Sequence, residues 1–238
     1  MNPGSLDEAK NIATKVRLAV ADMKDIEVVI CPPFPFIASC IPRSKAKNFY
    51  VGAQSVSLDD KTPHTGEVGV TMLKDIGVEY VIVGHSEQRA RGDTDEIISK
   101  QVKILLGDGI TPIVCIGENS RDETGSYLDA VKNQIKGSLA GIPKKYYSDI
   151  VIAYEPVWAI GAKESMRPED IYETSLFVKK VYADIFGAEA GLRVRVLYGG
   201  SANHRNASDI MKIGHADGLL VGRESVSVPE FIQLMKSL

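Results

Sequence analysis

A glutamate, Glu155, ends the apolar run in IAYEPVWAIGA, residues 152–162, and is followed by a proline, the only tryptophan (Trp158) and Gly161. Apolar surroundings disfavour a charged carboxyl group, and surface loops are normally polar. Either Glu155 is a paired structural ion or its position serves chemistry. A second group lies in VIVGHSEQR, residues 81–89, where Gly84 is followed at once by His85, Ser86 and Glu87. His85 could simply be satisfied by a helix N-terminus. The chemical alternative is that the helix end disfavours the imidazolium. His85 then stays neutral near pH 7 and donates a hydrogen bond to a substrate oxygen.

A third group is VLYGGSAN, residues 196–203, with Gly199, Gly200 and Ser201, and a fourth is LLVGRES, residues 219–225, with Gly222 and Arg223. Glycines let a backbone come close to a ligand, and successive amides can cradle a phosphate. Each pair alone could be a tight turn; at the ends of two consecutive final strands they point to phosphate. A carboxylate base, a neutral donor and a phosphate cradle together can move a proton next to a carbonyl. The enediolate so formed would eliminate its phosphate if water reached it. The apolar loop after Glu155 therefore reads as a mobile lid whose closure desolvates the carboxylate.

The elements that must position these groups alternate along the chain. Apolar, β-branched runs predict strands at 27–31, 50–53, 80–84, 111–116, 150–154, 193–198 and 218–221. Ser5 and Glu8 form a capping-box pattern ahead of an apolar stripe of Ile12, Val16, Ala19/Val20 and Met23. Pro168, with Glu169 and Asp170 behind it, suits the first turn of a helix carrying Ile171, Phe177/Val178, Val181 and Ile185. Serial β-α units mean parallel strands in an open doubly wound sheet or a (β/α)8 barrel. The clearest GxG, Gly107 and Gly109, precedes a strand, which is the wrong context for a dinucleotide. Every conspicuous polar group ends a strand, so the barrel is favoured, although only seven strands are legible.

The remaining signals are weaker. TGEVG, residues 65–69, reads as a surface loop leading to a helix that Thr65 or Asp60 helps to cap, and His64, His204 and His215 as structural or solvent-facing. Cys115 and Glu118 in VCIGE read as a buried thiol and a supporting carboxylate, since no basic partner is adjacent. The 238 residues are 44% hydrophobic with a net charge of −3, which suits one barrel domain over 1–238. Nothing in that charge favours nucleic acid or an anionic membrane. No apolar run reaches a membrane span and no signal peptide is visible at Met1–Ser5. Cys31, Cys40 and Cys115 form no CxxC pair and read as reduced thiols of a cytoplasmic protein.

Over nearly its whole length the sequence resembles the triosephosphate isomerase family, through GHSE (84–87), CIGE (115–118), YEPVWAIG (154–161), YGGS (198–201) and LLVG (219–222) in order. The resemblance implies interconversion of dihydroxyacetone phosphate and glyceraldehyde 3-phosphate in glycolysis and gluconeogenesis, with no metal and no cofactor. It implies Glu155 as the base and His85 as the electrophile, with Gly161, Ser201, Gly222 and Arg223 on the phosphate. It also implies a homodimer through the loop Thr65-Gly66-Glu67, with Gln54 near the interface.

Four departures from the family pattern stand out. Gln88 replaces an arginine, and Ala162-Lys163-Glu164 replaces the usual rear hinge of the lid. Arg223 replaces a glycine, so its Cβ would crowd a phosphate if the backbone there needs positive φ. Finally, Met1-Asn2 begins the chain where the family has a first strand ending in Asn-x-Lys. The expectation is a native chain starting roughly a dozen residues upstream, one strand's length. The alternative is a catalytically impaired barrel that binds a phosphorylated ligand without the lysine.

Overall fold

The computed structural model describes residues 1–44, 47–58, 64–122, 124–162 and 165–238. Asp60, Lys163 and Glu164, invoked above for capping and for the lid hinge, lie outside these residues. The seven apolar runs form seven strands: β1 Val28–Ile30, β2 Phe49–Ala53, β3 Tyr80–Val83, β4 Thr111–Ile116, β5 Val151–Tyr154, β6 Arg195–Tyr198 and β7 Gly218–Leu219. They lie in one sheet in chain order, β1 to β7, every pair parallel. Among the described residues β1 and β7 do not pair. The sheet nevertheless curls into the half-barrel of a (β/α)8 architecture, and the helix Leu6–Val20 meets the last helix, Val228–Lys236, across the gap.

Side-chain alternation along the strands sets what points where. Ile113 and Cys115 of β4, with Val151 and Ala153 of β5, form a small inner cluster joined by Tyr80, Ile82, Leu197 and Leu220. The intervening residues Val114, Ile116, Ile152 and Tyr154 face the helices in the larger core. This parity continues past the strand ends. Glu155 is two residues beyond Ala153 and so turns into the mouth of the half-barrel. The register Ile116↔Tyr154 and Tyr154↔Tyr198 keeps the strand ends level, so the loops that follow meet there.

The helix signals act as predicted at several points. Ser5 Oγ accepts the Glu8 N–H at 3.2 Å, while Glu8 Oε2 reaches back to the N–H of Gly4 at 2.7 Å. Ile12, Val16 and Val20 are buried on one face. Pro168 opens the helix Pro168–Phe186, burying Ile171, Val178 and Val181, whereas Phe177 and Ile185 are only partly covered. Two strand boundaries differ from expectation by two residues, the others by at most one. Arg193 ends a short helix, Ala188–Arg193, rather than starting β6, because that helix packs against Pro168–Phe186. β7 stops at Leu219, where its pairing with β6 runs out at Tyr198.

All three cysteines are free and buried. Burial pushes the Cys31 thiol up to about 12 and that of Cys115 well above the usual range. No helix among the described residues is long and apolar enough to cross a membrane.

Candidate active site

β5 delivers Glu155 into the mouth with 3% exposure, its N–H tied to the carbonyl of Ile116 at 2.7 Å. Gly117 makes this position possible. A Cβ on Gly117 would lie 1.8 Å from the Glu155 carbonyl oxygen, so only a residue without one fits between β4 and β5 there. The carboxylate is held from one side by the loop after β3. Oε1 lies 2.9 Å from His85 Nε2, and Oε2 accepts the N–H of Ser86 at 3.1 Å.

His85 caps the helix Ser86–Ala90, with Nδ1 accepting the Glu87 N–H at 3.3 Å. That bond leaves Nε2 to carry the proton and donate it to Glu155. The imidazole is therefore the tautomer that can point a donor into the mouth. The expectation that the helix end alone keeps it neutral is corrected in one respect. Burial does work against the imidazolium, but the hydrogen bond and charge of Glu155, with Glu87 adding, outweigh it. His85 titrates above its ordinary value. The helix itself is anchored by Arg89, whose guanidinium donates to the carbonyls of Gly84 at 2.9 Å and Cys115 at 3.2 Å and pairs with Asp95 at 2.6 Å.

The loop after Glu155 turns through Val157–Ala159 and leaves Trp158 and Ile160 44% and 41% exposed. Its front end is fixed by Glu118, the buried supporting carboxylate. Glu118 accepts the Trp158 indole N–H at 2.9 Å and the Tyr154 hydroxyl at 2.8 Å, and pairs with Arg121 at 2.9 Å. Burial, with the charge of Glu118 beside it, pushes the Tyr154 phenol far up, so it serves as a neutral donor. At the rear, Ser201 Oγ bonds the carbonyls of Ala159 at 3.2 Å and Ala162 at 2.9 Å, and the Tyr198 hydroxyl accepts the N–H of Met166 at 3.1 Å.

Gly161, Ser201, Gly222 and Arg223 come together around this loop. Among the described residues, none of their four backbone N–H groups donates to a protein acceptor, which is the state an anion cradle needs before it is filled. The feared crowding at Arg223 is absent. It opens the 3-10 turn Arg223–Val226, and the only non-glycine at positive φ among the described residues is His215. No group of three or more His, Cys, Asp or Glu among the described residues could hold a metal.

The other sequence signals are placed as follows. His204 lies 3.6 Å from Glu230, and His215 packs against Tyr172 with the rings tilted and their centroids 4.9 Å apart. Thr65, Gly66 and Glu67 are exposed, and Glu67 accepts a hydrogen bond from Ser57. Gln54 bonds the carbonyls of Met1 at 2.6 Å and Cys31 at 2.9 Å. Sequence reasoning missed the roles of Arg89, Arg121, Tyr154 and Tyr198. The two tyrosines each end a strand beside a recognised motif, which was a usable signal; Arg121 sits in a polar loop and offered none.

The family model described as triosephosphate isomerase matches residues 1–238. The triosephosphate isomerase of Endomicrobium trichonymphae is 38% identical over 234 residues, covering 98% of this chain and 93% of that protein. That of Carboxydothermus hydrogenoformans is 36% identical over 231 residues, covering 96% and 92%.

Proposed function

The chain belongs to the triosephosphate isomerase family, and we propose that it interconverts dihydroxyacetone phosphate and D-glyceraldehyde 3-phosphate through an enediolate. The observation that carries this reading is the buried Glu155 carboxylate 2.9 Å from His85 Nε2, opening onto a rim of undonated amides. Glu155 takes a proton from the carbon next to the substrate carbonyl. The Nε2–H of His85, released from Glu155, donates to the oxygen on which negative charge develops. Glu155 then returns the proton to the neighbouring carbon, and the two oxygens exchange hydroxyl and carbonyl roles. The amides of Gly161, Ser201, Gly222 and Arg223 hold the phosphate group, and no metal or cofactor is called for.

The loop running from Pro156 past Gly161 closes over this site as a lid. Its apolar residues exclude water from the enediolate, so phosphate is retained rather than eliminated. The same reading takes the chain as a single domain acting in the cytoplasm as a homodimer, with the exposed loop Thr65-Gly66-Glu67 at the subunit contact. Sedimentation gives the subunit count directly.

A coupled assay with glyceraldehyde 3-phosphate and a dehydrogenase reporting dihydroxyacetone phosphate tests the activity. Turnover carries the isomerase reading. Exchange of the proton next to the carbonyl with solvent, without net isomerisation, would instead identify an impaired phosphate-binding barrel.

A further inference from the structure

Arg223 brings to the phosphate rim a full positive charge that a glycine would not. Its side chain leans from the loop after β7 toward the lid, so that Nη2 lies 3.4 Å from where a Cβ on Gly161 would stand. Gly161 itself is at φ +70, with its N–H undonated among the described residues. Ser201 from the loop after β6 grips the same stretch through the carbonyls of Ala159 and Ala162. Three loops therefore converge on Gly161.

The guanidinium at this junction is exposed and makes no hydrogen bond or ion pair among the described residues. Two arginines of neighbouring loops are engaged: Arg89 with Asp95 and Arg121 with Glu118. A planar guanidinium matches two oxygens of a phosphate dianion, which backbone amides alone cannot neutralise.

We propose that the Arg223 side chain, and not only its amide, binds the phosphate dianion of the substrate and ties the occupied cradle to the lid at Gly161. Bound phosphate and closed lid then stabilise one another, since one cation touches both. The assignment rests on the isomerase reading for the identity of the substrate but not for the affinity for phosphate itself. It makes Arg223 a specificity determinant for a dianionic phosphate monoester over an uncharged triose.

The test compares wild type with R223Q and R223K. R223Q should raise the KM for glyceraldehyde 3-phosphate and weaken 2-phosphoglycolate and inorganic phosphate by about tenfold or more, the worth of a charge-assisted hydrogen bond. kcat should fall by a smaller factor. The salt dependence of kcat/KM should flatten in R223Q, and R223K should recover part of the affinity. Trp158 fluorescence, the chain's only tryptophan signal, should respond to saturating phosphoglycolate less in R223Q than in wild type. Unchanged or tighter phosphate and phosphoglycolate binding in R223Q would overturn the proposal. A wild type that binds phosphate but does not isomerise would sink the isomerase reading while leaving the Arg223 assignment to be decided by the binding data.

Discussion

His85 Nε2 and Glu155 Oε1 stand 2.9 Å apart, while Oε2 of the same carboxylate takes the N–H of Ser86 at 3.1 Å. In the resting site the proposed base and the proposed electrophile therefore hold one another. On the proposed mechanism, a carbonyl substrate entering the mouth takes the His85 proton donor away from Glu155, which frees the carboxylate oxygen as it polarises the carbonyl.

Shortening the base is the first test. Glu155→Asp retracts the carboxylate by about a bond length, and near-attack geometry is sensitive enough to lower kcat by about 10²-fold with KM little changed. The coupled isomerase assay reads both constants. An unchanged kcat would remove Glu155 from the role.

The second concerns the titration of His85. Its elevation stands on Glu155, with burial opposing it, so Glu155→Gln should lower the His85 midpoint, read from its imidazole resonances by NMR. The sign for stability follows. A histidine raised in the folded state contributes stability that is present below its ordinary titration range and is lost as pH rises through the elevated value. The urea midpoint of wild type should therefore exceed that of Glu155→Gln most between the carboxylate and histidine ranges, and the gap should narrow above them. A gap that widens as pH rises through and above the histidine range would contradict the pairing.

Gly117→Ala tests the fit between β4 and β5. The new methyl would meet the Glu155 carbonyl oxygen at 1.8 Å, and backbone cannot give way as a flexible side chain does. Urea unfolding should show a loss at or beyond the usual overpacking cost of about 1–3 kcal/mol. Activity should fall with it, because the strand that carries Glu155 must move.

The lid is tested by protease. Saturating 2-phosphoglycolate should protect the Trp158–Lys163 segment from trypsin, since the proposed closure seats Gly161 on the phosphate. Equal cleavage with and without ligand would rule the lid reading out.

Tyr198→Phe addresses the rear anchor. The Tyr198 hydroxyl accepts the buried N–H of Met166 at 3.1 Å, and removing it leaves that donor unpaired at a cost of about 1–3 kcal/mol. The variant should unfold at lower urea and lose part of the ligand protection of the lid. Full protection with unchanged stability would assign the bond no role.

Much of this site was legible in one dimension, for reasons that are local. The capping box at Ser5 and Glu8 and the proline at Pro168 act within one helical turn, and the apolar runs of β1 to β7 declare themselves by residue type. Glu155, His85 and the glycine pairs stood out because their residue types conflict with, or punctuate, the runs that carry them. Where local patterns overlap, the reading slipped: Arg193 and Val194 fit a strand start as well as a helix end, and packing on Pro168–Phe186 decided between them.

What the sequence by itself determined is the serial β-α order, the residues at the strand ends and the chemistry they can share, because these depend on neighbours along the chain. The tertiary structure alone decided which partners those groups have. Arg121 reaches Glu118, Tyr154 and Thr174 across three elements, Arg89 reaches Cys115 and Asp95, and Arg223 leans toward Gly161. The upward shift of His85 likewise arises from a carboxylate 70 residues away (85 to 155). Hydrogen bonds and charges act through space over a few ångströms, and sequence separation carries no trace of that distance until parallel pairing has brought the strand ends level.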